Sequence, residues 1–180
     1  MAIGTGFRQG EILGITWSNV ALDVERPTIT VTQTLQRFGS ELRLVETKTR
    51  SSNRTLRIPS FVVDALKRQR QRTAEERLKL GPAWHQSDLA FCKEDGTPLT
   101  NHYVLWRFYK VLEKHGIRRI TFHTLRHCYA SYLSAVGADD KLMQTYLGHS
   151  TIAITKNLYI HLMPGAAEQL MGKLDDLLKR

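Results

Sequence analysis

From residue 28 the chain reads TITVTQTLQ, and Ile29, Val31 and Leu35 fall on alternate positions. That is the two-residue period of a half-buried strand, and the interleaved threonines suit its pleat. Phe38-Gly39-Ser40 reads as a turn, residues 41–49 as a returning strand, and 50–53 as a second turn. A short third strand over 54–59 is closed by Pro59. The pattern predicts a small antiparallel three-stranded meander with Lys48 near a hairpin tip. Before it, Thr5 is placed to cap a helix through FRQGEILGITW, with Ile12, Leu13 and Ile15 or Trp17 turned inward.

Beyond Pro59 the period changes to that of helices. Phe61, Val62, Ala65 and Leu66 open a helix over 61–80 that then turns heavily charged. Residues 81–98 read as loop with a short strand at Leu89–Cys92. Helices are predicted at about 100–115, 123–136, 139–147, 151–162 and 166–179, with Gly116, Gly137 and Gly148 as stops. Ala167, Leu170, Met171, Leu174, Leu177 and Leu178 form an amphipathic stripe in the last of these. The expected fold class is α+β and mainly helical, the small sheet lying near the N-terminal side against a helical bundle.

Composition narrows the function classes. The 180 residues are 42% hydrophobic and 24% charged, a globular balance. No apolar run approaches the roughly 20 residues of a membrane helix, and the first residues lack the basic head and apolar stretch of a secretory signal. Cys92 and Cys128 are far apart and outside any CxxC spacing, which suits free thiols in a reducing, cytoplasmic setting. The formal charge of +9 favours a polyanionic partner, nucleic acid before an acidic membrane. Ten cations fall between Arg43 and Arg77, among them Lys48, Arg50, Arg54, Lys67, Arg70 and Arg72. They read either as a solvated face or as a strip that contacts phosphates.

Candidate chemistry gathers in TFHTLRHCY, residues 121–129. His123 and Arg126 are three apart, so a helix puts both heads on one face. A guanidinium forks onto two phosphate oxygens, and an imidazole hydrogen-bonds or moves a proton near neutral pH. Taken alone, the pair fits better a helix start satisfied by carbonyls and a carboxylate, and His127 reads as packing or a supporting hydrogen bond rather than chemistry. In LGHS, Gly148 ends a helix and lets His149 turn off its end. Tyr159 sits at helical spacing in KNLYIHL, where a half-buried packing role competes with chemistry. Arg8 and Glu11 are an i, i+3 pair, and Lys48 lies in ETKTRSSNRTL. No HExxH or clustered Cys/His spacing suggests a metal site.

The order of these motifs is more telling than any one of them. TGFRQGEILGITW, then KTRSSNRTLRIP between strands, then HTLRH, LGHS and TKNLYIH resembles the tyrosine recombinases, the phage-integrase family, over nearly the whole chain. The resemblance implies a tyrosine-recombinase catalytic fold across 1–180, lacking the family's first helices and its N-terminal core-binding domain. It implies site-specific DNA recombination, integration or excision, through a covalent 3′-phosphotyrosine. Arg8 and Arg126 match the arginines that hold the scissile phosphate. Lys48 matches the general acid for the departing 5′ oxygen, and His123 the proton carrier for the tyrosine. His149 matches a phosphate hydrogen-bonder, Tyr159 the nucleophile, and Glu11 the acidic neighbour that orients Arg8. Arg50 and Arg54 are expected to contact DNA. No metal or nucleotide cofactor is required. The partners implied are double-stranded DNA and further copies of the chain, dimer to tetramer on DNA, with exchange of the C-terminal helix between protomers. The competing reading is a DNA-binding fragment without catalysis, and a third is supercoil relaxation in the manner of type IB topoisomerases.

Overall fold

The computed structural model describes residues 1–47 and 53–148. The helices expected at 151–162 and 166–179, with their apolar stripe, lie outside the described residues, as does the hairpin tip at Lys48.

Two short helices, α1 (Ala2–Thr5) and α2 (Gln9–Leu13), replace the single helix expected through residue 17. Thr5 closes α1 rather than opening α2, and Arg8 takes the N-cap position of α2. The helix stops at Leu13 because the next backbone is used elsewhere. Ala90 N–H donates to the Ile15 carbonyl and Trp17 N–H to the Asp88 carbonyl, both at 2.8 Å. A continuing helix would need those groups for its own ladder. Ile12, Leu13 and Ile15 are buried as expected.

The strands are β1 (Val20–Ala21), β2 (Thr28–Val31), β3 (Gln33–Phe38), β4 (Glu41–Glu46) and β5 (Arg54–Arg57). The α+β class holds, but the meander does not. The stretch expected as one strand divides at Thr32 between two sheets. β2 lies between β1 and β5 in an antiparallel three-stranded sheet, while β3 and β4 form a separate hairpin. Thr32 makes the division through its own hydrogen bonds: its hydroxyl accepts from Asn19 at 3.0 Å and its carbonyl from Thr47 N–H at 3.0 Å.

The helices follow the spacing. They are α3 (Ser60–Leu80), α4 (Asn101–Lys114), α5 (Phe122–Ala135) and α6 (Asp140–Leu147). Thr100, Thr121 and Asp139 cap the last three, each side chain accepting a backbone N–H three residues on. Val62, Val63 and Leu66 anchor α3, and past Leu66 no residue of it is buried. Leu89 meets Thr16 in a single bridge rather than a strand. The core joins Phe7, Ile12 and Ile15 to Ile29, Val31, Leu56, Val62, Leu66 and Ala90. A smaller cluster of Tyr129, Ala130 and Leu147 ties α5 to α6. Gln9 on α2 donates to the Asn101 carbonyl at 3.0 Å, and Phe108 meets Phe122 edge-on at 5.5 Å, drawing α4 to the same end. Among the described residues, no helix is long and apolar enough to cross a membrane.

Candidate active site

The fold brings α2, β5, α5 and the end of α6 to one place. Arg126, on the inner face of α5, is buried, and its two terminal nitrogens donate to the carbonyls of Gly6 (2.6 Å) and Leu147. Gly6 has φ 64, the left-handed turn that closes α1 and points its carbonyl at the guanidinium. Arg126 is thereby clamped between the first turn of the chain and the last turn of α6. Burial, and then the charge of Arg8, lower its pKa to about 10, so it stays protonated at neutral pH.

Arg8 stands at the start of α2 with its side chain 45% exposed, open to a ligand. One Glu11 oxygen accepts from the Arg8 side chain at 3.0 Å and the other from the Arg8 backbone N–H at 2.9 Å. Another Arg8 nitrogen donates to the Gly148 carbonyl at 3.4 Å. Glu11 thus holds Arg8 through both oxygens, and it also has a second partner. Arg54 comes up from β5, almost fully buried, and donates to both Glu11 oxygens at 3.2 and 3.0 Å. Its remaining nitrogen donates to the Tyr146 carbonyl at 3.3 Å, and its guanidinium lies 5.2 Å from the centre of the Phe7 ring.

Arg54 was expected to contact DNA; here its guanidinium faces the interior and grips a carboxylate. Four cations of the basic strip make ion pairs at the surface: Arg43 with Glu41, Lys67 and Arg70 with Asp23, and Arg72 with Glu76. Lys48, Arg50, His149 and Tyr159 lie outside the described residues.

Burial by itself would raise the Glu11 carboxyl, but the hydrogen bond and charge of Arg54, and then those of Arg8, outweigh it and hold the pKa below its ordinary value of 4.5. A carboxyl lowered on folding stabilises the fold above its unfolded pKa, and that contribution disappears as pH falls through the folded one. Glu11→Gln is therefore expected to cost about 2 kcal/mol at pH 7. It should also flatten the loss of stability below pH 4.5, read by urea unfolding at several pH values. An unchanged acid limb would contradict the pairing.

His123 opens α5 beside these arginines. Burial, then the fields of His127, Arg126 and Arg8, lower its pKa below 6.5, so the imidazole is neutral at neutral pH. Its ring meets His127 edge-on, centroids 4.5 Å apart. The Nδ1 of His127 is buried and has no hydrogen-bond partner among the described residues. Of the two readings open for His127, packing or a supporting hydrogen bond, its ring contact with His123 fits the first.

Sequence reasoning missed the backbone. Three successive carbonyls at the end of α6 each accept from a different arginine: Tyr146 from Arg54, Leu147 from Arg126, Gly148 from Arg8. The last carbonyls of a helix carry its negative dipole end, which suits them to cations. Gly148 itself has φ 63, and a Cβ there would sit 2.7 Å from the Arg54 guanidinium. Gly148→Ala is expected to cost about 1–2 kcal/mol for the left-handed backbone alone, and more as Arg54 is displaced. A melting temperature equal to that of the parent chain would contradict this.

One exposed and one buried guanidinium, with a neutral imidazole within their field, gather beside the end of α6. The chain belongs to the phage integrase family, whose model matches residues 1–165. It is 34% identical to a XerC-like tyrosine recombinase of Caldanaerobacter subterraneus subsp. tengcongensis, over 98% of this chain and 48% of that protein. It is also 34% identical to an integrase of Streptomyces ambofaciens, over 88% of this chain and 42% of that one. The Tn1549 transposon integrase, solved in complex with circular intermediate DNA, superposes with a TM-score of 0.76 at 26% identity, covering 96% of this chain and 57% of that one. The chain thus spans about half the length of the curated relatives it matches.

Proposed function

We propose that this chain carries the catalytic centre of a site-specific DNA recombinase, which cuts and rejoins DNA through a covalent 3′-phosphotyrosine. The observation that carries the reading is the convergence of Arg8 and Arg126 on the last carbonyls of α6, directly before His149 in the sequence, with His123 within the field of both arginines. Relatives of the same family are named as recombinases and integrases, and one is solved on DNA.

In this reading the Tyr159 phenol oxygen attacks the scissile phosphorus and its proton passes to His123. The bond from phosphorus to the 5′ oxygen breaks, and Lys48 donates the proton that the departing oxygen takes up. Arg8, Arg126 and His149 hold the non-bridging oxygens, on which charge grows in the transition state. A neutral His123 is required to accept the proton, and its lowered pKa supplies that form. The bond energy kept in the phosphotyrosine is returned when a 5′ hydroxyl attacks it. Double-stranded DNA is the partner, and two to four copies assemble on it, exchanging the stripe that begins at Ala167.

The test is a duplex nicked near the cleavage point, so that the released 5′ fragment diffuses away. A protein–DNA adduct stable to denaturant supports the recombinase. Salt-sensitive binding with no adduct would instead support a DNA-binding fragment without catalysis.

A further inference from the structure

The geometry points to Arg54 as a positioning residue for this reaction: it locks the Glu11 carboxylate and the end of α6 together, so that Arg8 and Arg126 face one phosphate, and it makes no phosphate contact itself. The inference rests on the proposed recombinase function and assigns a part of its machinery.

Arg54 opens β5, opposite Val31 of β2, and shares the buried face of the strand with Leu56. A charge on that face is rare unless a partner holds it. Here the partner is Glu11, itself only 2% exposed, and one carboxylate serves two arginines. Oε1 accepts from the side chains of Arg8 at 3.0 Å and Arg54 at 3.2 Å. Oε2 accepts from the Arg54 side chain at 3.0 Å and the Arg8 backbone at 2.9 Å. With its fork on Glu11, Arg54 still reaches the Tyr146 carbonyl, one residue before the carbonyl that holds Arg126 and two before the one that holds Arg8. Removing the fork would free the carboxylate to turn and the α6 end to shift, moving both phosphate-gripping arginines at once. Lysine keeps the charge but has neither the planar fork nor the third direction.

Two variants separate positioning from DNA contact and from folding. Arg54→Lys is compared with the parent chain on the nicked duplex at saturating DNA, where a displacement of about 1 Å at the reacting centre costs roughly 100-fold in rate. A fall of that order, with DNA affinity little changed, is expected. The paired variant E11Q/R54M removes both buried charges together, which spares the fold the isolated charge that single replacements leave. It should remain folded by thermal melt, form adduct as slowly, and bind DNA with the salt dependence of the parent. A slope of log affinity against log salt lower by about 0.9 would show a lost phosphate contact and overturn the proposal. Adduct formation by Arg54→Lys at the parent rate would overturn it as well. A parent chain that binds DNA without forming adduct would count against the recombinase function, while the salt slopes would still decide whether Arg54 touches phosphate.

Discussion

Arg126→Lys is expected to lower the rate of covalent adduct formation by roughly 1,000-fold, the scale of removing one preorganised charge donor from a phosphoryl-transfer site. Charge is conserved in this variant, so the loss isolates geometry. The guanidinium of Arg126 reaches Gly6 and Leu147 together because its two terminal nitrogens diverge from one plane. An ammonium is a single point on a flexible stem and cannot span both carbonyls in the same way. One buried carbonyl then lacks its donor, at a cost of about 1–3 kcal/mol in stability. The measurement is adduct formation on a nicked duplex at saturating DNA, alongside a urea melt of the variant. An activity within threefold of the parent would contradict the assignment of Arg126 to the phosphate.

How much of this was legible in the sequence depended on whether the signal was local. The four longer helices were read from local spacing and from stops such as Gly116 and Gly137; the caps at Thr121 and Asp139, which act within three residues, agree with them. The strand at 28–36 was read in the right place with the right face inward, since Ile29, Val31 and Leu35 are all buried. Its division at Thr32 was missed, because Leu35 resumes the period after the polar Gln33 while the change of sheet is set by distant partners, Asn19 and Thr47. The helix through residue 17 failed for the same reason, its last residues being claimed by residues 88–90.

The site divides the same way. Arg8, Glu11, His123 and Arg126 could be singled out from sequence because their motifs are short and the family orders them. The grip of Arg54 on Glu11 was not legible, because the two lie 43 residues apart in the chain. Nothing in the sequence marks the carbonyls of residues 146–148, since a backbone acceptor has no side-chain signature. The arginines could be named from sequence, but what holds them could not.

Tyr159→Phe carries the largest expected effect, loss of the adduct below detection. The substitution removes one oxygen, and the proposed chemistry has no other nucleophile. An unperturbed phenol has a pKa of about 10, so it is mostly protonated at neutral pH and attacks only if its proton is taken. In the proposed chemistry the acceptor is His123, which is neutral at neutral pH and lies within the field of two arginines. Binding to the duplex should survive in this variant, because a phenol oxygen adds little to an interface held by cations.

The most direct measurement is to trap the adduct on a nicked duplex, digest it, and locate by mass spectrometry the residue that carries the nucleotide. The account predicts a 3′-linked nucleotide on Tyr159 in the parent chain and none in Tyr159→Phe. An adduct that persists in Tyr159→Phe, or a nucleotide found on any other residue, would contradict it.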